Sequence, residues 1–197
     1  MGTQFRQNTS IVKFNELELF TGLTWLGDIN YYGQAAFSTC SNLEEIKLPH
    51  GLVGIGYQNC LSCSKLKNFT FPSTLTTIGQ SAFEKCNALT ELIIPDSVTT
   101  IKGAAFTDCK RLSKVTVGTG VTSMSSAFKT WNYKIPVFII KATTPPTIGE
   151  LFYTGYPATN IYVPDSSVGA YKSAWSAYVD NIKPISEYSG DIPPTDY

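Results

Sequence analysis

The chain has 197 residues, 43% of them hydrophobic and 13% aromatic, which is enough to bury a sizeable core and argues against overall disorder. Fifteen basic residues balance fifteen acidic ones without any run of like charge, so neither nucleic acid nor an anionic membrane surface is expected as a partner. The longest apolar stretch, residues 135–140, is far shorter than the ~20 residues of a membrane-spanning helix, so membrane insertion is not expected either.

Residues 1–36 lack the regular pattern that follows and are predicted to form an N-terminal cap and a degenerate first coil. The degenerate coil is marked by Tyr32-Gly33 and Ala36-Phe37. Residues 1–10 are polar and contain no apolar segment of the kind found in a secretory signal, so they are not expected to direct export.

Residues 37–128 are predicted to form regular coils, because the sequence repeats with a 23-residue period. Four of the five cysteines occupy one position in successive units, and the segments after them superimpose without a gap over residues 43–121. The repeated columns are Cys40, Cys63, Cys86 and Cys109; Leu43, Leu66, Leu89 and Leu112; Ile46, Phe69, Leu92 and Val115; Leu48, Phe71, Ile94 and Val117; Leu52, Leu75, Val98 and Val121; and Ile55, Ile78, Ile101 and Met124.

Each unit is predicted to begin with a short half-buried strand, because two apolar columns alternate with polar positions and end at a proline such as Pro72. Two further apolar columns point inward on the returning limb. A small residue and a phenylalanine close the unit, as in Ala82-Phe83, and the ring is expected to fill the centre of the coil; Asn59-Cys60 is irregular. One unit cannot bury its apolar face alone, so neighbours must stack and both ends need caps.

Residues 129–188 are predicted to contain degenerate coils and a C-terminal cap, because the 23-residue register slips after Met124. Two apolar strands remain, at residues 137–140 and 161–163. Asp165 or a following serine can cap a helix over residues 168–178 that covers the last coil. Residues 189–197 have no periodicity and are expected to be a tail or linker.

The unit L-x-x-I-x-L-P-x-x-L-x-x-I-G-x-x-A-F-x-x-C-x-x-L resembles the BspA-type leucine-rich repeat of bacterial surface proteins, and the resemblance covers most of the chain. Residues 14–27 are similar to the segment that opens such arrays, and residues 161–185 are similar to the ending of many of them. The resemblance implies a leucine-rich-repeat solenoid of mixed β structure with short turns and 3-10 segments, 23-residue coils, stacked short parallel strands and a C-terminal cap with one short helix.

Two surfaces are candidates for binding. One is the outer face of the strands, where side chains between the buried columns must point outward; alternatively, this face is only a soluble sheet surface. The other is a group of C-terminal aromatic residues that depart from the repeat and lie partly in loops; alternatively, they plug the end of the solenoid. The outer-face candidates are Glu45, Lys47, Asn68, Thr70, Glu91, Ile93, Lys114 and Thr116, and the aromatic candidates are Trp131, Tyr133, Phe152, Tyr153 and Tyr156.

No catalytic site, metal site or cofactor is expected. Cys60 and Cys63 form a C-x-x-C pair, but no second pair exists and His50 is the sole histidine, so both thiols are interpreted as small buried hydrophobes; a disulfide between them stays open. Nucleophilic catalysis would have to use His50, which lies in a turn without a nucleophile motif nearby. Capping explains the carboxylates in turns or near helix starts, although a glycosidase pair is not excluded; they are Asp96, Asp108, Asp165 and Asp180. The repeat glycines are interpreted as turn positions; they are Gly56, Gly79 and Gly103.

The resemblance implies a non-catalytic adhesion module of the bacterial cell surface that binds a host or neighbouring-cell protein or glycan outside the cell. An alternative is a subunit of a larger assembly, such as a phage virion, in which the same solenoid serves host attachment or decoration. A third alternative is a hydrolase, which would need a pocket with convergent polar groups that the repeat does not predict.

Overall fold

The chain is a parallel β solenoid in the computed structural model, which describes residues 5–28, 35–67, 69–130, 133–152 and 160–191. Short strands, four 3-10 turns and one α-helix form within these ranges. The strands are β1 Lys13–Phe14, β2 Trp25–Leu26, β3 Glu45–Ile46, β4 Gly54–Ile55, β5 Thr77–Ile78, β6 Glu91–Ile94, β7 Thr100–Ile101, β8 Lys114–Val117, β9 Val137–Ile140, β10 Asn160–Val163 and β11 Ile182–Pro184; the helix is α1 Val168–Ala174; and the 3-10 turns are Asn15–Leu19, Asp165–Ser167, Ser176–Tyr178 and Ile185–Glu187.

The strands form two ladders that run along the solenoid, and the pairings within both are parallel. In the first ladder β1 pairs with β3, and β6, β8, β9, β10 and β11 form a five-stranded sheet in chain order. In the second ladder β2, β4, β5 and β7 pair in chain order. Glu91 pairs with Lys114 and Lys114 with Val137, so each step along the solenoid takes one 23-residue coil. The predicted leucine-rich-repeat solenoid is thereby confirmed.

The 23-residue step also persists further along the first ladder than the sequence suggested. Val137 on β9 pairs with Asn160 on β10, which is again one full coil further along the chain. The change of register after Met124 is found on the returning limb, where the bridge from Ser123 to Thr147 spans one residue more than the 23-residue step. Residues of the returning limb, predicted only to point inward, form the second ladder of strands.

The third side of each coil consists of turns that hydrogen-bond to the next coil. Alternate backbone N–H groups donate to carbonyls of the following coil, as from Ser81 to Gly103 and from Phe83 to Ala105. Two residues per turn have a left-handed backbone conformation although they are not glycines. One column of such residues is Gln58, Ser81 and Ala104, and the other is Thr39, Ser62, Lys85 and Asp108.

A file of phenylalanine rings runs through the centre of the solenoid, as the sequence predicted. The rings of Phe83 and Phe106 lie nearly parallel with their centroids 5.5 Å apart, and Phe128 continues the stack at 5.1 Å from Phe106. All three side chains are buried. Aromatic pairs of this kind contribute about 0.5–1.5 kcal/mol beyond the burial of their area, so the file couples each coil to the next.

One coil departs from this arrangement, because Cys60 stands where the other coils have a phenylalanine. The ring of Phe69, from the strand column that follows Cys60 in the chain, lies parallel to Phe83 with centroids 5.0 Å apart. Phe71 packs edge-on against Phe83 at 5.5 Å. Residues 69–71 do not form the strand predicted for them, since two rings occupy columns that are aliphatic in the neighbouring coils. Among the described residues the first ladder has no strand between β3 and β6, although the Lys67 N–H still donates to the Glu44 carbonyl at 3.1 Å.

The repeated cysteines form a single file of buried thiols, as their spacing predicted, and none of the five cysteines is in a disulfide. The Cys109 thiol donates to the Phe83 carbonyl at 3.2 Å, and the Cys63 thiol donates to the Phe37 carbonyl at 3.0 Å. Burial raises the pKa of Cys109 to about 12 and that of Cys40 to about 11. The thiols of Cys109 and Cys40 therefore stay protonated at neutral pH.

The C-terminal end of the core is covered by α1 and the 3-10 turn after it. The Tyr171 hydroxyl donates to the Ala142 carbonyl at 2.8 Å, and the Trp175 indole N–H donates to the Pro146 carbonyl at 3.0 Å. Both aromatic side chains are buried. Carbonyl groups at the end of the array thus accept hydrogen bonds from the cap. Without the cap, these carbonyl groups would be hydrogen-bonded to water.

The carboxylate predicted to cap this helix has another role. Ser167 is the N-cap residue of α1 and makes no side-chain capping hydrogen bond. Asp165 instead accepts a hydrogen bond from the backbone N–H of Ser186 at 3.1 Å, and hydrogen bonding to Ser186 lowers the pKa of Asp165. This carboxylate ties the segment after β11 to the cap.

Of the repeat glycines predicted at turn positions, Gly103 lies in a turn, whereas Gly56 and Gly79 directly precede the turns. Gly56 and Gly79 do not have positive φ; they lie where successive coils approach closely. A Cβ atom on Gly79 would lie 2.6 Å from the carbonyl carbon of Gly56. Glycine at these two positions is therefore explained by lack of space between backbones.

Candidate binding surface

The outer face of the first ladder carries the residues predicted to bind a partner. In β6, Leu92 and Ile94 are buried while Glu91 and Ile93 are exposed, and the same alternation continues in β8. The fold thus places the described candidates on one face, although what surrounds them differs along the solenoid. The described candidates are Glu45, Lys47, Thr70, Glu91, Ile93, Lys114 and Thr116, whereas Asn68 lies outside the described residues.

The N-terminal part of this face is occupied by interactions within the chain. Glu45 accepts a hydrogen bond from the Asn15 amide at 2.7 Å and pairs with Lys13 at 3.3 Å. These contacts, the Asn15 hydrogen bond foremost, lower the pKa of Glu45. Lys47 pairs with Glu18 at 3.4 Å. A partner docking here would have to replace these contacts, so this part of the face is poorly suited to binding.

The C-terminal part of the face is covered by the segment that follows β11. Val137 and Ile139, at the outer positions of β9, are buried together with Tyr162. The Tyr188 ring packs on Tyr162 with centroids 5.1 Å apart, and the Lys114 ammonium lies 5.4 Å from the centre of the Tyr188 ring. This arrangement is a cation–π contact. The covering segment therefore reaches as far as β8.

Between these two parts the face is open and apolar. Ile93 is 69% exposed, a large fraction for a branched aliphatic side chain on a sheet. It borders a groove of about 400 Å³ between residues 69–71 and β6. The lining of this central groove, as we call it, includes Phe69, Phe71, Leu92, Ile93 and Pro95, together with the exposed Lys67, Thr70 and Glu91.

A second groove, of about 470 Å³, lies on the N-terminal side of the central groove and has a charged lining. It contains Glu18, Glu45 and Lys47 from the ion pairs and the exposed His50. Since the pKa of Glu45 is lowered, this carboxyl group is ionised at neutral pH and cannot act as a proton donor. Both carboxyl groups in this lining are in ion pairs, Glu18 with Lys47 and Glu45 with Lys13.

The aromatic candidates belong to the end of the core as far as the structure describes them. Tyr133 and Phe152 are buried. The Phe152 ring packs edge-on against Phe138 at 5.4 Å and against Tyr178 at 5.9 Å. Neither ring is presented to a partner, because both are buried, and Phe152 packs beneath the cap. Trp131, Tyr153 and Tyr156 lie outside the described residues.

The two thiols of the C-x-x-C pair are buried. Cys60 and Cys63 are both free thiols, and the pKa of Cys60 is raised well above its ordinary value by its hydrogen bond with Cys63 and by burial. Within the described ranges, no three His, Cys, Asp or Glu side chains are grouped so that they could hold a metal ion. In the same part of the chain, no helix has the length and apolar character needed to cross a bilayer.

Sequence reasoning missed four residues that shape this surface: Lys67, Phe69, Phe71 and Tyr188. The two phenylalanines were assigned to the buried columns, and nothing indicated that Tyr188 returns to the strand face. A signal was present in residues 60–71, because the smallest residue of the phenylalanine column, Cys60, is followed by the largest residues of both strand columns, Phe69 and Phe71. Phe69 and Phe71 both line the central groove.

Comparison with known proteins identifies the repeat. The model of the BspA type leucine rich repeat region matches residues 11–134 in 6 copies. The T. pallidum leucine rich repeat protein TpLRR superposes with a TM-score of 0.56 at 22% identity, over 88% of this chain and 74% of that one. The pneumococcal vaccine antigen PcpA gives a TM-score of 0.56 at 22% identity, over 78% of this chain and 37% of that one. At these identities both structures show the fold alone. The comparison with curated proteins finds no match.

Proposed function

Because the chain belongs to the BspA-type leucine-rich repeat family, we propose that it is a non-catalytic module that binds a protein partner on the outer face of its first strand ladder. Its place of action is the bacterial cell surface, which the family favours, and its biological effect is adhesion to a host or neighbouring cell. The observation that carries the proposal is the open central groove with Ile93 exposed beside it.

The chemistry of the central groove favours a protein over a glycan as the partner. Phe69, Phe71 and Ile93 offer apolar surface, which gains free energy by losing contact with water. Apolar anchors of this kind are the centres of protein interfaces, where a few buried side chains carry most of the binding energy. A glycan would present hydroxyl groups to this lining, and many of them would lose their hydrogen bonds to water without replacement.

The neighbouring surface confines the partner to this groove. The side chains of Glu45 and Lys47 are already paired on one side, and Tyr188 covers the face on the other. A partner therefore gains most by inserting an apolar side chain between residues 69–71 and β6, with Thr70 and Glu91 available for hydrogen bonds around it.

The test is a binding screen of the whole chain against purified matrix proteins and a glycan array, repeated with the Ile93→Glu variant. Wild type is expected to bind at least one protein, and the variant is expected to bind it at least about tenfold more weakly, because a carboxylate would be buried against the apolar lining. Val179→Glu is the matched control, since Val179 is an exposed valine in the C-terminal cap and lines neither groove.

Two results would overturn the proposal. One is a protein partner whose affinity is the same for wild type and Ile93→Glu, because that partner would bind elsewhere. The other is a screen in which glycans alone bind. A loss of binding shared by Val179→Glu would also count against it, since the effect would not be specific to the central groove.

A further inference from the structure

A pocket with a basic lining adjoins the central groove on the side where the strands begin. Its volume is about 370 Å³, and its lining includes Lys65, Lys67, Ala88 and Arg111. Lys65, Ala88 and Arg111 occupy one column in three successive coils. Because the middle member is alanine, the two long basic side chains flank a gap instead of a third large residue.

The basic pocket has an excess of positive charge in a chain whose net charge is zero. Lys65, Lys67 and Arg111 contribute three cations, and Glu44 is the carboxylate in the same lining. Glu44 is already paired with Lys67 at 3.1 Å. Of the ion pairs found in the described part of the chain, none involves Lys65 or Arg111, so these two cations are available to an anion from outside.

The two sites are continuous. Lys67 lines both the basic pocket and the central groove, and Thr90 and Glu91, adjacent in the chain, line one each. A ligand in the groove that continues toward the start of the strands would therefore enter the basic pocket. Since a strand advances about 3.3 Å per residue, the two sites are a few residues apart for an extended peptide.

Resting on the proposed binding function, we propose that the partner presents an extended acidic segment. An apolar side chain of this segment fills the central groove, and an Asp or Glu carboxylate a few residues away binds between Lys65 and Arg111. Charge complementarity selects a carboxylate or another anion for the pocket, and the apolar groove selects a peptide over a sulfated glycan, which would use the pocket alone.

The arrangement also sets the direction in which charge changes alter affinity. The Arg111 guanidinium can hold a carboxylate or a sulfate through two parallel hydrogen bonds. A neutral amide does not match this geometry. Glu44 repels an incoming anion, so removing its charge strengthens binding, whereas removing charge at Lys65 and Arg111 weakens it. These opposite signs distinguish recognition of an anion from a general effect of mutation on the surface.

The test uses a random 12-residue peptide display library selected on the immobilised whole chain, followed by affinity measurements on the synthesised peptides that bind. We expect these peptides to combine an apolar residue with Asp or Glu. Lys65→Gln combined with Arg111→Gln is expected to weaken them about tenfold, Glu44→Gln to strengthen them severalfold, and added salt to reduce the difference. Lys141→Gln combined with Lys172→Gln, exposed residues that line neither site, gives the same change in net charge.

The outcomes separate this inference from the binding function on which it rests. One outcome is a set of peptides without an acidic residue that no longer bind the Ile93→Glu variant but keep their affinity for the Lys65→Gln, Arg111→Gln double variant. That outcome would overturn the acidic segment and leave the central groove as the binding site. Peptides unaffected by Ile93→Glu would contradict the binding function itself. Heparin fragments that bind through Lys65 and Arg111 without competing with the peptides would assign the pocket to a sulfated glycan and overturn the inference.

Discussion

At the scale of single residues, the turns of this solenoid contain backbone strain that repeats with the coil. Ser81 and Ala104 have φ values of 54° and 56°, and Lys85 and Asp108 have φ values of 62° and 58°. The left-handed conformation costs a residue with a Cβ atom roughly 1–2 kcal/mol. It persists because the N–H groups of these turns, such as that of Ser81, donate to the next coil.

Ala104→Gly is therefore expected to stabilise the chain by about 0.5–1 kcal/mol, because glycine adopts positive φ without steric cost and this gain exceeds its larger loss of chain entropy. The free energy of unfolding, measured by urea denaturation, checks the value. Ala170→Gly is the matched control: Ala170 lies in α1, so the same change should destabilise by about 1 kcal/mol. A destabilised Ala104→Gly would refute strain at this position.

At the scale of the coil, the exchange between Cys60 and Phe69 shows how one element accommodates an irregular core position. Two parallel rings stack on Phe83: Phe106 comes from the same column in the next coil, whereas Phe69 comes from the strand column that precedes Phe83 in the chain. A small residue in one column is compensated by a large residue in another. The cost is the strand, since residues 69–71 leave the first ladder.

Cys60→Phe is expected to destabilise the chain by about 1–3 kcal/mol, because the new ring would compete with Phe69 for the space beside Phe83. Adding Phe69→Leu should recover at least about 1 kcal/mol of this loss, because the added ring then fills the space that Phe69 vacates. Urea denaturation of both single variants and the double variant measures the coupling.

The control for this double-variant experiment is Cys60→Phe combined with Phe71→Leu. Phe71 packs edge-on against Phe83 and Phe106 and does not occupy the stacking position, so it should give no recovery. Equal recovery by Phe71→Leu would show that any reduction in core volume suffices, and additive effects of Cys60→Phe and Phe69→Leu would show that the two side chains do not share a space.

Most of the fold could be predicted from the sequence, and the shape of the binding surface could not. The column of Leu43, the cysteine file and the phenylalanine at the centre of the coil follow from the 23-residue period, because every coil has the same neighbours on both sides. The lost strand at residues 69–71 depends on how two columns share space within one coil. The covering of Val137 by Tyr188 depends on where a segment outside the repeat returns, and periodicity contains no information about that.

At the scale of the whole molecule, the two ends of the solenoid are stabilised by different means. At the N-terminal end, Phe5 extends the file of aromatic rings by stacking on Phe37 with centroids 5.4 Å apart. At the C-terminal end, the cap contributes Tyr171 and Trp175, whose polar groups bind carbonyls of the preceding segment. Since each coil contacts only its neighbours, the stability of the array is close to a sum of local terms, and damage at one end should be felt most strongly there.

Trp175→Ala removes a buried indole and the donor for the Pro146 carbonyl, at an expected cost of about 3–5 kcal/mol. Amide hydrogen exchange should then accelerate most in β10 and β11, which lie at the capped end of the first ladder, and least in β4 and β5. Val179→Ala, an exposed position in the same cap, should leave both sets of strands unchanged. Nearest-neighbour stacking requires a gradient in the exchange rate that falls from β10 back to β4. Equal acceleration in all four strands would mean that the array unfolds as one unit, because the coupling free energy between coils would then exceed the free energy lost with the cap.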